Sequence, residues 1–253
     1  NYNVKIDKKG DLFMKKYRNA FTTAEVLITL LIIGLIASIT IITLSQETSG
    51  REKILKVKKG FSVVSNAYDN ALTEFGPTYE WESMGADAFS YKIGKGLNLA
   101  KNCGIDNTLK KGNECFPDCP KIYKAGSNDT LDVCSSSQVS KMMSADGFSY
   151  AFQIEDPICS VDVTNKNESA SKYMKEICGT FLMDIDSSKT ARNKNFYGRD
   201  LFLFYITREG LIPTGLDIDV KYPKKDGECK QTVLKNEFGC SALMVYGDGK
   251  LEK

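Results

Sequence analysis

Hydrophobic and polar positions follow three successive patterns along the chain, and each pattern predicts a different kind of element. Residues 26–44, nineteen in all, contain no charged side chain and are mostly apolar. A helix of that length spans roughly 28 Å at 1.5 Å per residue, which matches the hydrocarbon core of a bilayer. The first pattern therefore predicts a membrane-spanning helix.

The second pattern continues the helix beyond this apolar run. Apolar residues recur at alternating intervals of three and four, with polar and basic side chains between them, and Gly76-Pro77 then ends the helix. We expect one helix from Phe21 to Phe75, weakened at Gly50 and Gly60. Its apolar stripe consists of Ile54, Val57, Phe61, Val64, Tyr68, Ala71 and Phe75.

The third pattern, in residues 77–253, predicts a head domain. Residues 77–146 favour loops and short helices, with one helix at 136–144. Strand patterns follow at 147–154, 158–163, 177–186, 200–207 and 211–213. In residues 200–207 both faces are apolar, which is typical of a central strand with one face on the long helix. The predicted fold class is α+β, with a long N-terminal helix packed on an antiparallel sheet.

The amino-acid composition excludes some classes of function. The chain has no histidine, which excludes Ser-His and Cys-His nucleophilic pairs and removes the commonest general base. The formal net charge is only +2, so no basic surface for nucleic acid is expected. We therefore expect neither an enzyme nor a nucleic-acid partner.

Charge and cysteine placement predict the compartment. Lys15, Lys16 and Arg18 precede the apolar run and Glu47 follows it, so the positive-inside rule places the N-terminus in the cytoplasm and the head outside. All eight cysteines follow residue 102, which favours disulfides in an oxidising compartment. The expected localisation is a single-pass cytoplasmic membrane protein with its head outside the cytoplasm.

Residues 14–44, MKKYRNAFTTAEVLITLLIIGLIASITIITL, resemble the N-terminal cleavage and methylation segment of type IV pilins and type II secretion pseudopilins. The resemblance implies cleavage between Ala20 and Phe21, N-methylation of Phe21, and Glu25 as the fifth mature residue. It also implies a prepilin peptidase/N-methyltransferase and other pilin or pseudopilin subunits as partners, with membrane lipid before assembly. The domains are then a leader (1–20), a membrane or filament-core helix (21–45), its amphipathic continuation (46–76) and the head (77–253). Whether the chain starts at Asn1 or Met14, we expect residues 1–13 to be disordered and lost on processing.

Glu25 is a carboxylate at the head of an apolar helix, where burial is costly, about 2–3 kcal/mol. After cleavage the new ammonium at Phe21 can pair with Glu25 of a neighbouring subunit, which sets the register of assembly. The alternative is that Glu25 only reaches to the lipid headgroups.

Two further sites are expected in the head. Proximity favours disulfides Cys229–Cys240 and Cys159–Cys178, which leaves Cys103, Cys115, Cys119 and Cys134 to pair among themselves. The stretch 183–215 resembles the sheet region of pseudopilins, some of which bind calcium there. That resemblance offers Asp184, Asp186, Asn195 and Asp200 as oxygen ligands, although acidic residues at strand ends also occur without a metal, and no other cofactor is expected.

The resulting interpretation is a structural subunit of a type II secretion or type IV pilus-like filament. The alternative is an anchored binding module that keeps its leader and never polymerises.

Overall fold

The computed structural model describes residues 2–6, 12–16, 22–81, 85–106, 114–166, 171–186, 197–216, 218–222 and 238–247. In residues 2–6, 12–16 and 39–50 it describes the backbone alone. The chain divides into two compact units, residues 1–49 and 50–253. Helix α1, Thr23–Phe75, contributes residues to both units, and each unit is treated by itself.

The first unit contains a hairpin and the start of α1. Strands β1 (Tyr2–Ile6) and β2 (Leu12–Lys16) pair antiparallel, with Tyr2 opposite Lys16. The expectation of disorder is therefore wrong for residues 2–6, 12 and 13, the part of residues 1–13 that the structure describes. Apolar residues alternate with polar ones in the sequence of β1, and Gly10 lies in the connection, which are the ordinary signals of a hairpin.

The second unit begins with the remainder of α1 and places two short helices beside it. Gly76 has a φ of +77°, which glycine adopts without strain. Together with Pro77 it ends α1 at Phe75, as the sequence predicts. A 3-10 turn at Thr78–Glu80 leads to helix α2, Ala86–Gly94.

A six-stranded antiparallel sheet forms the centre of this unit, in the order β10-β9-β8-β7-β6-β3. Its strands are β3 (Leu99–Gly104), β6 (Val139–Ser144), β7 (Ser149–Ile154), β8 (Ile177–Asp184), β9 (Leu201–Thr207) and β10 (Leu211–Pro213). A separate hairpin joins β4 (Lys121–Tyr123) to β5 (Thr130–Asp132), and helix α3 (Cys240–Tyr246) follows the sheet.

Two local predictions for this region are wrong. Residues 136–144 were expected to be helical, but 139–144 form β6, which is held by pairing with β3 on one side and β7 on the other. Residues 158–163 were expected to form a strand, but only Val161 makes a bridge, to Ile177. Cys159, with a φ of +57°, interrupts the extended backbone there.

The sheet is buried on both faces. On one face, Val57, Val64 and Tyr68 of α1 pack with Phe181 and Phe204 of the central strands. On the other face, Leu182, Leu203 and Tyr205 are covered by Phe116, Ile122 and their neighbours in the connections. The predicted central strand at 200–207, apolar on both faces and packed against α1 on one, is confirmed as β9.

Disulfides stabilise the connecting segments, as expected. The bonds are Cys103–Cys115, Cys119–Cys134 and Cys159–Cys178. Cys240 is also disulfide-bonded, whereas Cys229, its expected partner, lies outside the described residues. Each such bond contributes about 2–4 kcal/mol to stability, mostly by restricting the unfolded chain.

Within the residues that the structure describes, no helix has both the length and the hydropathy of a membrane span. This finding overturns the predicted fold class, a pilin-like fold whose helix spans the membrane with its first half. It also overturns the single-pass localisation in the cytoplasmic membrane. What the structure establishes is an α+β architecture with an antiparallel sheet.

Candidate functional site: the start of helix α1

The first turn of α1 is closed by reciprocal hydrogen bonds between Thr22 and Glu25. The backbone N–H and the hydroxyl of Thr22 each donate to Oε2 of Glu25, both at 2.9 Å. The backbone N–H of Glu25 donates in return to Oγ1 of Thr22, at 3.3 Å. This arrangement is a capping box, which satisfies backbone donors that a helix start otherwise leaves without partners.

Two hydrogen bonds from Thr22 lower the pKa of the Glu25 carboxyl. The bond from the backbone N–H has the larger effect and the bond from the hydroxyl the smaller one. Glu25 is fully exposed, so its carboxylate is ionised at neutral pH and accessible to a cation. Negative charge in the first turn also interacts favourably with the helix dipole.

A continuous apolar surface follows the capping box. Thr29 and Ser38 turn their hydroxyls back onto the helix, donating to the carbonyl oxygens of Val26 and Gly34. Residues 26–36 include nine large apolar side chains that are each 45% to 72% exposed: Val26, Leu27, Ile28, Leu30, Leu31, Ile32, Ile33, Leu35 and Ile36. Soluble proteins rarely expose an apolar surface of this kind unless something binds to it.

Of the processing and assembly residues predicted from the sequence, the structure describes Glu25. Ala20 and Phe21, the two sides of the expected cleavage point, lie outside the described residues, so pairing between the Phe21 amine and Glu25 stays a prediction. Thr22 is the functional residue that sequence reasoning missed. Its signal was available, because Thr22-Thr23-Ala24-Glu25 has the Thr-x-x-Glu spacing of a capping box.

Of the four residues offered as calcium ligands, the three that the structure describes do not place their carboxylate oxygens together as a metal-ligand group. Asp184 is buried and accepts the Asp186 N–H, and Asp200 pairs with Arg199 at 2.6 Å. Asn195 lies outside the described residues, so calcium binding in this loop stays a prediction. Among the described residues, Cys119, Asp132 and Cys134 are the one group with metal-ligand spacing, and both of those cysteines are in a disulfide.

Asp219, a buried carboxylate of the described head, belongs to a loop and not to a cleft. Asp219 accepts the hydroxyl of Tyr205 at 3.0 Å and the backbone N–H groups of Gly215 and Tyr222 at 3.0 and 2.9 Å. Burial raises the pKa of Asp219 to about 6 despite these bonds. Three donors to one carboxylate fix the loop after β10, which gives Asp219 a structural role.

Comparison with protein-family models, with curated proteins and with solved structures finds no match. Functional inference therefore depends on the sequence motif and on the geometry of α1.

Proposed function

We propose that this chain is a structural subunit of a pilin-like filament, processed between Ala20 and Phe21 and assembled through the start of α1. The observation that carries the proposal is the exposed apolar surface of residues 26–36. Burying one large aliphatic side chain contributes about 1.5–3 kcal/mol. Nine such side chains therefore provide ample free energy for association.

Other copies of the same segment are the partner that fits this surface best. The segment carries no charge after Glu25, so identical helices can pack side by side without burying unpaired charges. The one carboxylate at its head then needs a cation, and cleavage supplies the ammonium of Phe21. Pairing between Phe21 of one copy and Glu25 of the next is a heterologous contact, which repeats into an open filament.

The second unit supports this role by forming a rigid head. Tyr68 of α1 donates a hydrogen bond of 2.5 Å to the carbonyl oxygen of Thr207 at the end of β9, and three disulfides hold its connections. We propose a type II secretion pseudopilin first and a type IV pilus subunit second, because of the resemblance in residues 183–215. The partners are a prepilin peptidase/N-methyltransferase and further subunits.

The proposal is tested by N-terminal mass analysis of the full chain produced in cells with a prepilin-type peptidase. The expected mature protein starts at N-methyl-Phe21. Ala20→Gly is the matched control and should be processed as well, since it keeps a small residue before the cut. Ala20→Leu should retain residues 1–20 and form no filaments in electron micrographs. A wild-type chain that keeps its leader and stays monomeric contradicts the proposal.

A further inference from the structure

The hairpin of strands β1 and β2 has one apolar face and one polar face. Opposite residues of an antiparallel pair lie on the same face, and successive residues of a strand alternate between faces. The register pairs Val4 with Met14 and Asn3 with Lys15, so these two pairs belong to different faces. The apolar face consists of Tyr2, Val4, Ile6, Leu12 and Met14, with Lys16 at its end, and the other face of Asn3, Lys5, Phe13 and Lys15.

An apolar face on a hairpin of this size needs a packing partner. A two-stranded hairpin is marginally stable in water by itself, and packing against a helix is one arrangement that stabilises it. The first unit contains both the hairpin and the start of α1. Residues 26–36 of α1 present nine large apolar side chains that are each 45% to 72% exposed. A partner of matching chemistry therefore belongs to the same chain.

The dimensions of the two apolar surfaces agree. Each strand has five residues, which span about 17 Å, and residues 26–36 span about 16 Å of helix. Residues 17–22 connect β2 to α1, and six residues are within the usual length of a strand-to-helix connection. This connection is long enough for β2 to run antiparallel to α1 with the apolar face turned to the helix.

We infer that the hairpin folds back onto residues 26–36 of its own chain and shields one side of that surface until the bond between Ala20 and Phe21 is hydrolysed. The inference rests on the proposed function and adds its regulation. In the uncut chain the connection holds the hairpin at an effective concentration on the order of millimolar. Hydrolysis leaves a carboxylate on Ala20 and an ammonium on Phe21 and ends this advantage, so other copies of α1 replace the hairpin.

The test compares full-length chains from cells that lack a prepilin-type peptidase, so that the bond stays intact. Val4→Asp places a charge on the apolar face, where burial against α1 is costly. It should lower the concentration at which the uncut chain self-associates, measured by sedimentation, about tenfold. Asn3→Asp is the matched control, because it adds the same charge to the opposite face of the same strand. It should behave as the wild type.

A chain without residues 1–13 keeps Lys15, Lys16 and Arg18 but has no hairpin, and it should self-associate as Val4→Asp does. If the uncut wild type self-associates as readily as these two variants, the hairpin does not shield α1 and the inference is overturned. If Asn3→Asp self-associates as readily as Val4→Asp, the added charge and not the apolar face is responsible, which also overturns it. Neither result bears on cleavage of the wild type, which tests the proposed function separately.

Discussion

Replacement of Glu25 separates its observed role in the capping box from its proposed role in assembly. In the capping box its carboxylate accepts the N–H and the hydroxyl of Thr22. In the proposed filament the same carboxylate pairs with the Phe21 ammonium of a neighbouring copy. Glu25→Gln keeps a side-chain oxygen that can accept the Thr22 N–H, because Glu and Gln both serve at this position of a capping box. Glu25→Gln therefore removes only the negative charge of the side chain.

The two roles differ in magnitude. Loss of a helix cap costs about 1 kcal/mol, which is roughly a fivefold effect on the helix start. An ammonium left without its partner in apolar surroundings costs about 3–5 kcal/mol, which is a loss of more than a hundredfold at every contact along the filament. We therefore expect Glu25→Gln to form no filaments, although its helix start is capped as in the wild type.

The assay is filament yield from cells, measured beside the mass of the mature chain to show that processing still occurs. Thr22→Val is the matched control: it removes the capping hydroxyl, keeps the shape of the side chain and leaves the Glu25 charge. It should assemble within about fivefold of the wild type, since it loses only part of a cap. If Glu25→Gln assembles as the wild type does while Glu25→Ala is mildly impaired, Glu25 acts as a capping residue only, and the charge-pairing role is refuted.

Three predictions concern the head and are measured by urea unfolding. Tyr68→Phe removes the hydrogen bond to the Thr207 carbonyl and should lower the free energy of unfolding by about 1–2 kcal/mol. If the free energy of unfolding is unchanged, the Tyr68 hydrogen bond does not hold α1 to β9. Gly179→Ala should lower the free energy of unfolding by more than about 2 kcal/mol. The added Cβ would lie 2.9 Å from the Ile154 Cα and nearer still to the backbone carbonyl oxygen of Gln153. Gly60→Ala should change the free energy of unfolding by less than about 1 kcal/mol, because its Cβ meets only the flexible end of Met183, at 2.5 Å. Equal effects of Gly179→Ala and Gly60→Ala would contradict this reasoning. The raised Asp219 pKa of about 6 means that the folded chain binds its proton more tightly than the unfolded chain. Asp219 therefore contributes fully to the free energy of unfolding below pH 3.8, its pKa in the unfolded chain. That contribution, roughly 3 kcal/mol, is lost as pH rises through about 6. Asp219→Asn should abolish this dependence of stability on pH.

The parts of the fold that the sequence predicted are those decided by local patterns. The end of α1 follows from Gly76-Pro77, and β9 and β10 follow from their continuous apolar runs and the turn between them. Strand β6 could not be predicted this way. Its residues have no strong strand alternation, and pairing with β3 and β7 decides its conformation. Propensity is a weak prior wherever such long-range pairing competes with it.

The role of Gly60 could likewise be predicted only in part from the sequence. Gly60 was interpreted from the sequence as a weak point of the helix, which is its local effect. The structure adds a packing reason: α1 passes so close to β8 that even a methyl group at this position would press on Met183. A contact between residues so far apart in sequence leaves no local signal.

The two parts of α1 differ in how their apolar side chains are covered, and that difference favours a polymer over a dimer. In the second unit, apolar residues occupy one stripe, and the sheet covers it. At residues 26–36 consecutive positions such as Leu30, Leu31, Ile32 and Ile33 are all exposed, so the apolar surface surrounds the helix. One partner helix covers only a single stripe of such a surface, and a dimer would leave most of these side chains in water. A helix that is hydrophobic all round requires neighbours on every side, which is the environment that many copies of the same segment supply at the centre of a filament.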